Sequence, residues 1–299
     1  MTLTALRDLR ISPTRYRQIS LAALIALCVI VVSGAAVRLS GSGLGCSDWP
    51  NCNDSRFIDV STTHGAIEQI NRLFTGVVMI AVVAAVLGAI RRTVRREDLT
   101  RLAVLIALGV PMQGVVGAIV VRTKLNPFAN QQHFLLSMVL VALGTVLVHR
   151  AGQADGARRM RAVSRPSQLS VVALTAMTAV ALITGTFVTG AGPHAGDETA
   201  KRFRIAITTV ARIHSLSVLA TIAVAIALTW SLRKRAADKE VLDTPLTSWM
   251  VVAIGQAAIG YTQYFTDVPA ALVAIHVAAA TGLWLVTVRL WLSLTTAGA

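Results

Sequence analysis

Apolar residues in this chain come in long runs, not in alternation. Eight runs near the roughly 20 residues that span a bilayer recur at 18–38, 66–90, 102–122, 130–149, 168–189, 205–231, 246–264 and 268–295. Such runs are too long for buried strands. The pattern predicts an all-α integral membrane protein with eight transmembrane helices. The first run has a basic start and the small residues Gly34, Ala35 and Ala36, features shared with a secretory leader. Its apolar stretch of about 19 residues exceeds the 7–15 of a leader core, so it is expected to stay as the first helix.

The gaps between runs differ in charge. Arg7, Arg10, Arg15 and Arg17 precede the first run, and Arg91, Arg92, Arg95, Arg96 and Arg101 fill the second gap. The fourth gap holds Arg150, Arg158, Arg159, Arg161 and Arg165, and the sixth Arg233, Lys234, Arg235 and Lys239. The positive-inside rule then predicts that both termini and the even gaps are cytoplasmic. Composition agrees with this picture. Of 299 residues, 55% are hydrophobic and 14% charged, against roughly 25% charged in a soluble domain. The net charge of +14 therefore marks topology. Its expected partner is anionic membrane lipid, and no nucleic-acid partner is expected.

Motifs recur at one offset. Gln113-Gly-Val-Val-Gly117 returns as Gln256-Ala-Ala-Ile-Gly260, His133 as His276, and Ile70-Asn71 as Ile213-His214, each 143 residues on. Gly34-Ala-Ala-Val37 is echoed more loosely by Gly185-Thr-Phe-Val188. A repeat of four helices keeps both copies in the same orientation. The expected architecture is two tandem four-helix bundles, residues 1–149 and 167–299, joined by a basic cytoplasmic linker at 150–166.

The candidate chemistry sits toward the outer side. At 1.5 Å per residue, His214 lies roughly 13 Å and His276 roughly 12 Å along their runs from that side. Two histidines at matched depth in a bundle suit the axial ligands of one haem. In the first half the corresponding pair is Asn71 and His133, and Asn71 is not a usual iron ligand. His64, seven residues before Asn71, could ligate, line the pocket or sit at the membrane interface. His194, in an outer loop, could be a loop residue or touch a haem edge. His149 reads as a headgroup-level residue. Glu68 is the one acid of 14 that falls inside an apolar run, a costly placement that marks a functional site by default. It could pair with Arg72, one turn on, or handle protons beside the first-half haem. Arg38, Arg72 and Arg212 are candidate propionate or pocket residues. Gln113 and Gln256 are expected to hydrogen-bond across helices. Cys28 is mid-helix, while Cys46 and Cys52 lie in the first outer loop, as a disulfide or as a redox-active dithiol.

These stretches resemble the haem A synthase family in its actinobacterial form. The resemblance rests on Gly41-Ser-Gly-Leu-Gly-Cys-Ser-Asp-Trp-Pro-Asn-Cys52, Ile67-Glu-Gln-Ile-Asn-Arg-Leu73 and Gln113-Gly-Val-Val-Gly117 in the first half. In the second half it rests on Thr184-Gly-Thr-Phe-Val-Thr-Gly-Ala-Gly-Pro-His-Ala-Gly-Asp197 and on Gly260-Tyr-Thr-Gln-Tyr-Phe-Thr-Asp-Val-Pro269 leading to His276. It implies a multi-pass enzyme of the bacterial cell membrane, an oxidoreductase that converts the C8 methyl of haem O to a formyl group. The product, haem A, serves cytochrome oxidase. It further implies a haem b cofactor between His214 and His276, a substrate-haem site with His133 as ligand and Glu68 as catalytic residue, and a Cys46–Cys52 disulfide. The family usually carries Glu-x-x-His-Arg where this chain has Glu68-Gln-Ile-Asn71-Arg72. Haem O synthase, the protohaem farnesyltransferase, is the expected partner; a homo-oligomer is compatible, and no electron acceptor is indicated. The alternative is a non-enzymatic b-type membrane cytochrome for electron transfer; a transporter is a more distant one.

Overall fold

The structure, a computed structural model, describes residues 10–298. Eight long helices follow one another: α1 Pro13–Leu39, α2 Thr63–Ile90, α3 Glu97–Arg122, α4 Pro127–Ala151, α5 Arg165–Ala191, α6 Ile207–Leu232, α7 Ala236–Phe265 and α8 Ala270–Leu292. A short strand, β1 Arg158–Arg161, precedes α5, and β2 Thr295–Gly298 follows α8. The shortest helix has 23 residues, about 35 Å, enough to cross a hydrocarbon core of roughly 30 Å.

Starts are set by local chemistry. The Ser12 hydroxyl accepts from Arg15 N–H, Thr62 from Gly65 N–H and the Asn126 side chain from Phe128 N–H, each satisfying a first-turn donor. Pro13 and Pro127 occupy the first helical turn, where no donor is lost. Seven helices carry a stretch apolar enough to cross a membrane, and α7 does not. Its first two turns hold Asp238, Lys239, Glu240 and Asp243. The apolar run underestimates this helix, which begins ten residues before 246. Polar helix formers extend it past Pro245, while Leu242, Leu246 and Trp249 bury its inner face. It still runs the full height of the bundle. Asp238 bonds to Ser164 at one end, and Gln256 reaches His276 toward the other. The chain is a multi-pass, all-α membrane protein.

Helices α1–α4 pack in a ring, each against the next and α1 against α4. Helices α5–α8 close a second ring in the same order. Each ring has its own core, one around Leu24, Val82, Ile106 and Val141, the other around Leu174, Leu228, Leu242 and Trp249. The rings meet where α8 packs on α1 and α4. There Trp284 Nε1–H donates to the Met138 carbonyl (2.8 Å), and between α4 and α5 Gln131 donates to Thr186 Oγ1 (2.7 Å). The outward faces are apolar instead: Ile80, Leu108, Leu216, Val251 and Phe265 stand exposed. So large an apolar exterior suits lipid. Threonine and serine hydroxyls inside the rings (Ser20, Thr145, Thr178, Thr221, Thr281) return to the carbonyl four residues back, which lets them lie buried at little cost.

The two halves share an unusual turn. Lys124 and Leu125, just before α4, have φ of 52° and 58°; Asp267 and Val268, just before α8, have 60° and 57°. The Leu125 N–H donates to Val120 O and the Val268 N–H to Gln263 O, both at 2.8 Å. Left-handed backbone is costly for a β-branched residue such as Val268. In both halves this turn sets the start of the helix that carries a histidine two turns on.

One element departs from the sequence reading. The 150–166 linker is not simply a loop: β1 pairs antiparallel with β2, Arg158 opposite Gly298 and Arg161 opposite Thr295. Four arginine-rich residues read as a topology signal, and their strand partner lies more than a hundred positions away.

Candidate functional site

The histidines fall where the helix starts place them. His133, His214 and His276 are six, seven and six residues into α4, α6 and α8, each about 9–10 Å from the helix start. Glycine on the neighbouring helix makes room for every ring. A methyl added at Gly117 would meet His133 Cε1 at 3.5 Å, at Gly185 His214 Cε1 at 3.2 Å, and at Gly260 His276 Cε1 at 2.9 Å. Gln113 Nε2 donates to the His133 carbonyl and Gln256 Nε2 to the His276 carbonyl, both at 3.0 Å. The expected cross-helix glutamine bonds are therefore present.

Ring nitrogens distinguish the three. His214 Nδ1 is paired with Thr184 Oγ1 (3.1 Å). The Nδ1 atoms of His133 and His276 are buried without a hydrogen-bond partner. None of the three Nε2 atoms bonds to protein among the described residues, and none is buried. The second half thus carries two imidazoles, on α6 and α8, whose Nε2 atoms have no protein partner among the described residues, a donor set that fits a haem iron. In the first half Asn71 stands where His214 stands in the second. Its Oδ1 accepts from Ser33 Oγ–H (2.7 Å), as His214 meets Thr184.

Glu68 is 5% exposed. One carboxylate oxygen takes both Arg72 Nε–H (3.0 Å) and Nη2–H (2.6 Å). The other accepts the Cys46 backbone N–H (2.8 Å). Arg72 uses its remaining nitrogen on the Asp48 and Asn51 carbonyls (3.0 and 3.1 Å). Glu68 and Arg72 therefore anchor the α1–α2 loop, which the Cys46–Cys52 disulfide closes. Gly45 completes the docking, because a side chain there would collide with the His64 carbonyl. The pairing of Glu68 with Arg72, one of the two readings of the sequence, is present.

The expected propionate residues divide. Arg72 is occupied as described. Arg38 donates from Nε to the His194 carbonyl (2.6 Å) and from Nη2 to the Thr189 carbonyl (2.8 Å), so it ties α1 to the end of α5 and the loop that follows. His194 is held in turn through Nε2 to the Val268 carbonyl (2.8 Å). Beside it, the Thr199 side chain and N–H hold the Asp197 carboxyl below the usual range. Arg38 is thus a cross-link between halves and the His194 ring a link within the second, roles invisible to spacing because their partners are backbone carbonyls. Arg212 is exposed and without a hydrogen bond among the described residues. His64 is exposed at the start of α2, its Nδ1 on Ser42 Oγ (2.9 Å). Cys28 is partly buried against the first core.

Fold and site define a class: a polytopic helical membrane protein with imidazoles gathered toward one end of its bundle, a donor set suited to haem. Comparison with known proteins narrows it. The model of the COX15-CtaA family, described as cytochrome oxidase assembly protein, matches residues 17–288, and the chain belongs to that family. It is 29% identical over 175 residues to "Heme A synthase" of Listeria welshimeri, covering 56% of this chain and 57% of that protein. It is 32% identical over 128 residues to that of Geobacillus kaustophilus, covering 42% and 40%. For Bacillus licheniformis the figures are 26% over 167 residues and 55% of each. The chain spans about half the length of the curated relatives it matches.

Proposed function

We propose that this protein is a haem A synthase, an oxidoreductase of the bacterial cell membrane with both termini cytoplasmic, which oxidises the C8 methyl of haem O to a formyl group for cytochrome oxidase assembly. The observation that carries the reading is the asymmetry between two otherwise matching halves: His214 with His276 in one, Asn71 with His133 in the other. The family match and relatives named for this activity support it.

In this reading His214 and His276 hold haem b, and His133 holds the substrate haem. Bound haem supplies an iron that takes up and passes on single electrons. Thr184 fixes the tautomer of His214, leaving Nε2 as the ligating atom. Gly117, Gly185 and Gly260 let the rings lie against the neighbouring helices. Oxidation of a methyl group releases protons, and Glu68, buried within α2, would receive one. For that it must loosen its hold on Arg72, whose guanidinium otherwise stabilises the ionised form. Exposed Arg212 remains available to a propionate. The recurrence at 143 residues, now including the left-handed turns and the glutamine bonds, supports a duplicated four-helix unit at 1–149 and 167–299. Haem O synthase, which makes the substrate, is the proposed partner. A b-type cytochrome is less favoured, since it gives no reason for Asn71 to replace the imidazole.

The test is chromatography of haems extracted from membranes in which the chain is produced beside a haem O synthase. Haem A above a Glu68→Ala control is expected. Haem b and haem O alone would overturn the enzymatic reading.

A further inference from the structure

At the end of the bundle opposite these histidines, α4, α5, α8 and the ribbon enclose a cleft of about 130 Å³. His149, Arg150, Gln153, Arg159, Gln168 and Trp291 line it. Its charges do not balance. Arg150 has one carboxylate, Asp98, at 4.0 Å. Asp98 is already shared with Arg96 at 2.9 Å and Arg159 at 3.8 Å. The other nearby acid, Asp155, is taken by Arg92 at 2.6 Å and lies 3.9 Å from Arg96. Four guanidiniums, of Arg92, Arg96, Arg150 and Arg159, thus share two carboxylates. Arg150 Nε, moreover, is buried without any hydrogen-bond partner. A buried, unpaired donor on a charged group is expensive unless something completes it.

We propose that this cleft is a binding site for a phosphate-type anion, held by Arg150 and Arg159. The guanidinium fork matches phosphate oxygens, and the Gln153 and Gln168 amides supply neutral donors beside it. Trp291, 43% exposed at the rim, is the kind of residue that sits at headgroup level. Basic pockets between helices at this end of a membrane protein suit acidic lipid headgroups, and free phosphate carries the same chemistry. A topology signal alone needs neither a cleft nor an unpaired buried nitrogen.

The experiment uses the full-length protein in detergent. Binding of phosphatidylglycerol and of phosphatidylcholine is compared by native mass spectrometry, with inorganic phosphate as competitor and as a stabiliser in thermal unfolding. Phosphatidylglycerol should bind more tightly than phosphatidylcholine, and Arg150→Gln with Arg159→Gln should weaken it about fivefold per arginine. Competition by phosphate, or stabilisation by phosphate without lipid preference, would assign the site to the free anion. Lipid preference without competition would assign it to the headgroup. Arg159→Gln alone, on the exposed ribbon, guards against misfolding of the double variant. Equal binding of both lipids with no phosphate effect, or unchanged binding in folded variants, overturns the proposal.

Discussion

The two halves of this molecule use one helix scheme for two ends. Both place a histidine two turns into the last helix of the unit, behind a left-handed turn, with a glutamine on its carbonyl. They differ at the facing position. The second half has His214, tied to Thr184; the first has Asn71, tied to Ser33. At the histidine end the first half adds a buried carboxylate, Glu68, and a disulfide loop pinned to it, whereas the buried carboxylate of the second half, Asp238, lies at the opposite end. Under the proposed function, a repeated scaffold with one ligand exchanged and one acid added would separate holding a haem from transforming one.

The largest expected effect is on the second half. His214→Ala or His276→Ala should remove its haem, seen as the loss of a low-spin, two-imidazole signal in absorption and electron paramagnetic resonance spectra. Retention of that signal in both variants would dissolve the contrast. Glu68→Ala should abolish haem A formation while leaving most bound haem in place; normal product yield would exclude a catalytic role. Glu68→Gln sharpens the point. It keeps an acceptor for the Cys46 N–H but cannot take up a proton as a carboxylate does. Product lost with a stable loop would mark proton chemistry, whereas full activity would mark an anchor. Asn71→His makes the halves alike, and a second low-spin species should appear in the spectrum. The smallest effect is expected from Gln113→Ala and Gln256→Ala. Gln256→Ala removes one bond between helices and Gln113→Ala removes two, to the His133 carbonyl and to Ser137 Oγ, each worth about 0.6 kcal/mol, so Gln113→Ala should lower the midpoint of thermal unfolding the more. Equal losses would show that the Ser137 bond contributes nothing.

Much of this was legible in the chain. Long apolar runs force helices because unpaired backbone groups cannot lie in lipid, and matched depth picked out His214 and His276. Spacing also placed Glu68 one turn from Arg72. The start of α7 was obscured because polar helix formers carry no hydropathy signal. The β1–β2 ribbon was obscured because strand pairing between distant segments leaves no local trace. Arg38 looked free for a propionate, since nothing in a sequence reveals that a guanidinium will end on main-chain carbonyls, whereas the bond of Arg72 to Glu68 was one of the two readings that spacing offered.

The bond from Arg38 to Thr189 and His194 bears on biosynthesis. A chain threaded into the bilayer helix by helix delivers α1 first, and its guanidinium waits until the second half has arrived. Until then it is a buried-to-be charge without a mate, held at the interface by hydration. The first half alone is therefore an unfinished object. Two halves made as separate polypeptides should each be short-lived and should rescue one another when produced together, with Arg38→Leu blunting the rescue.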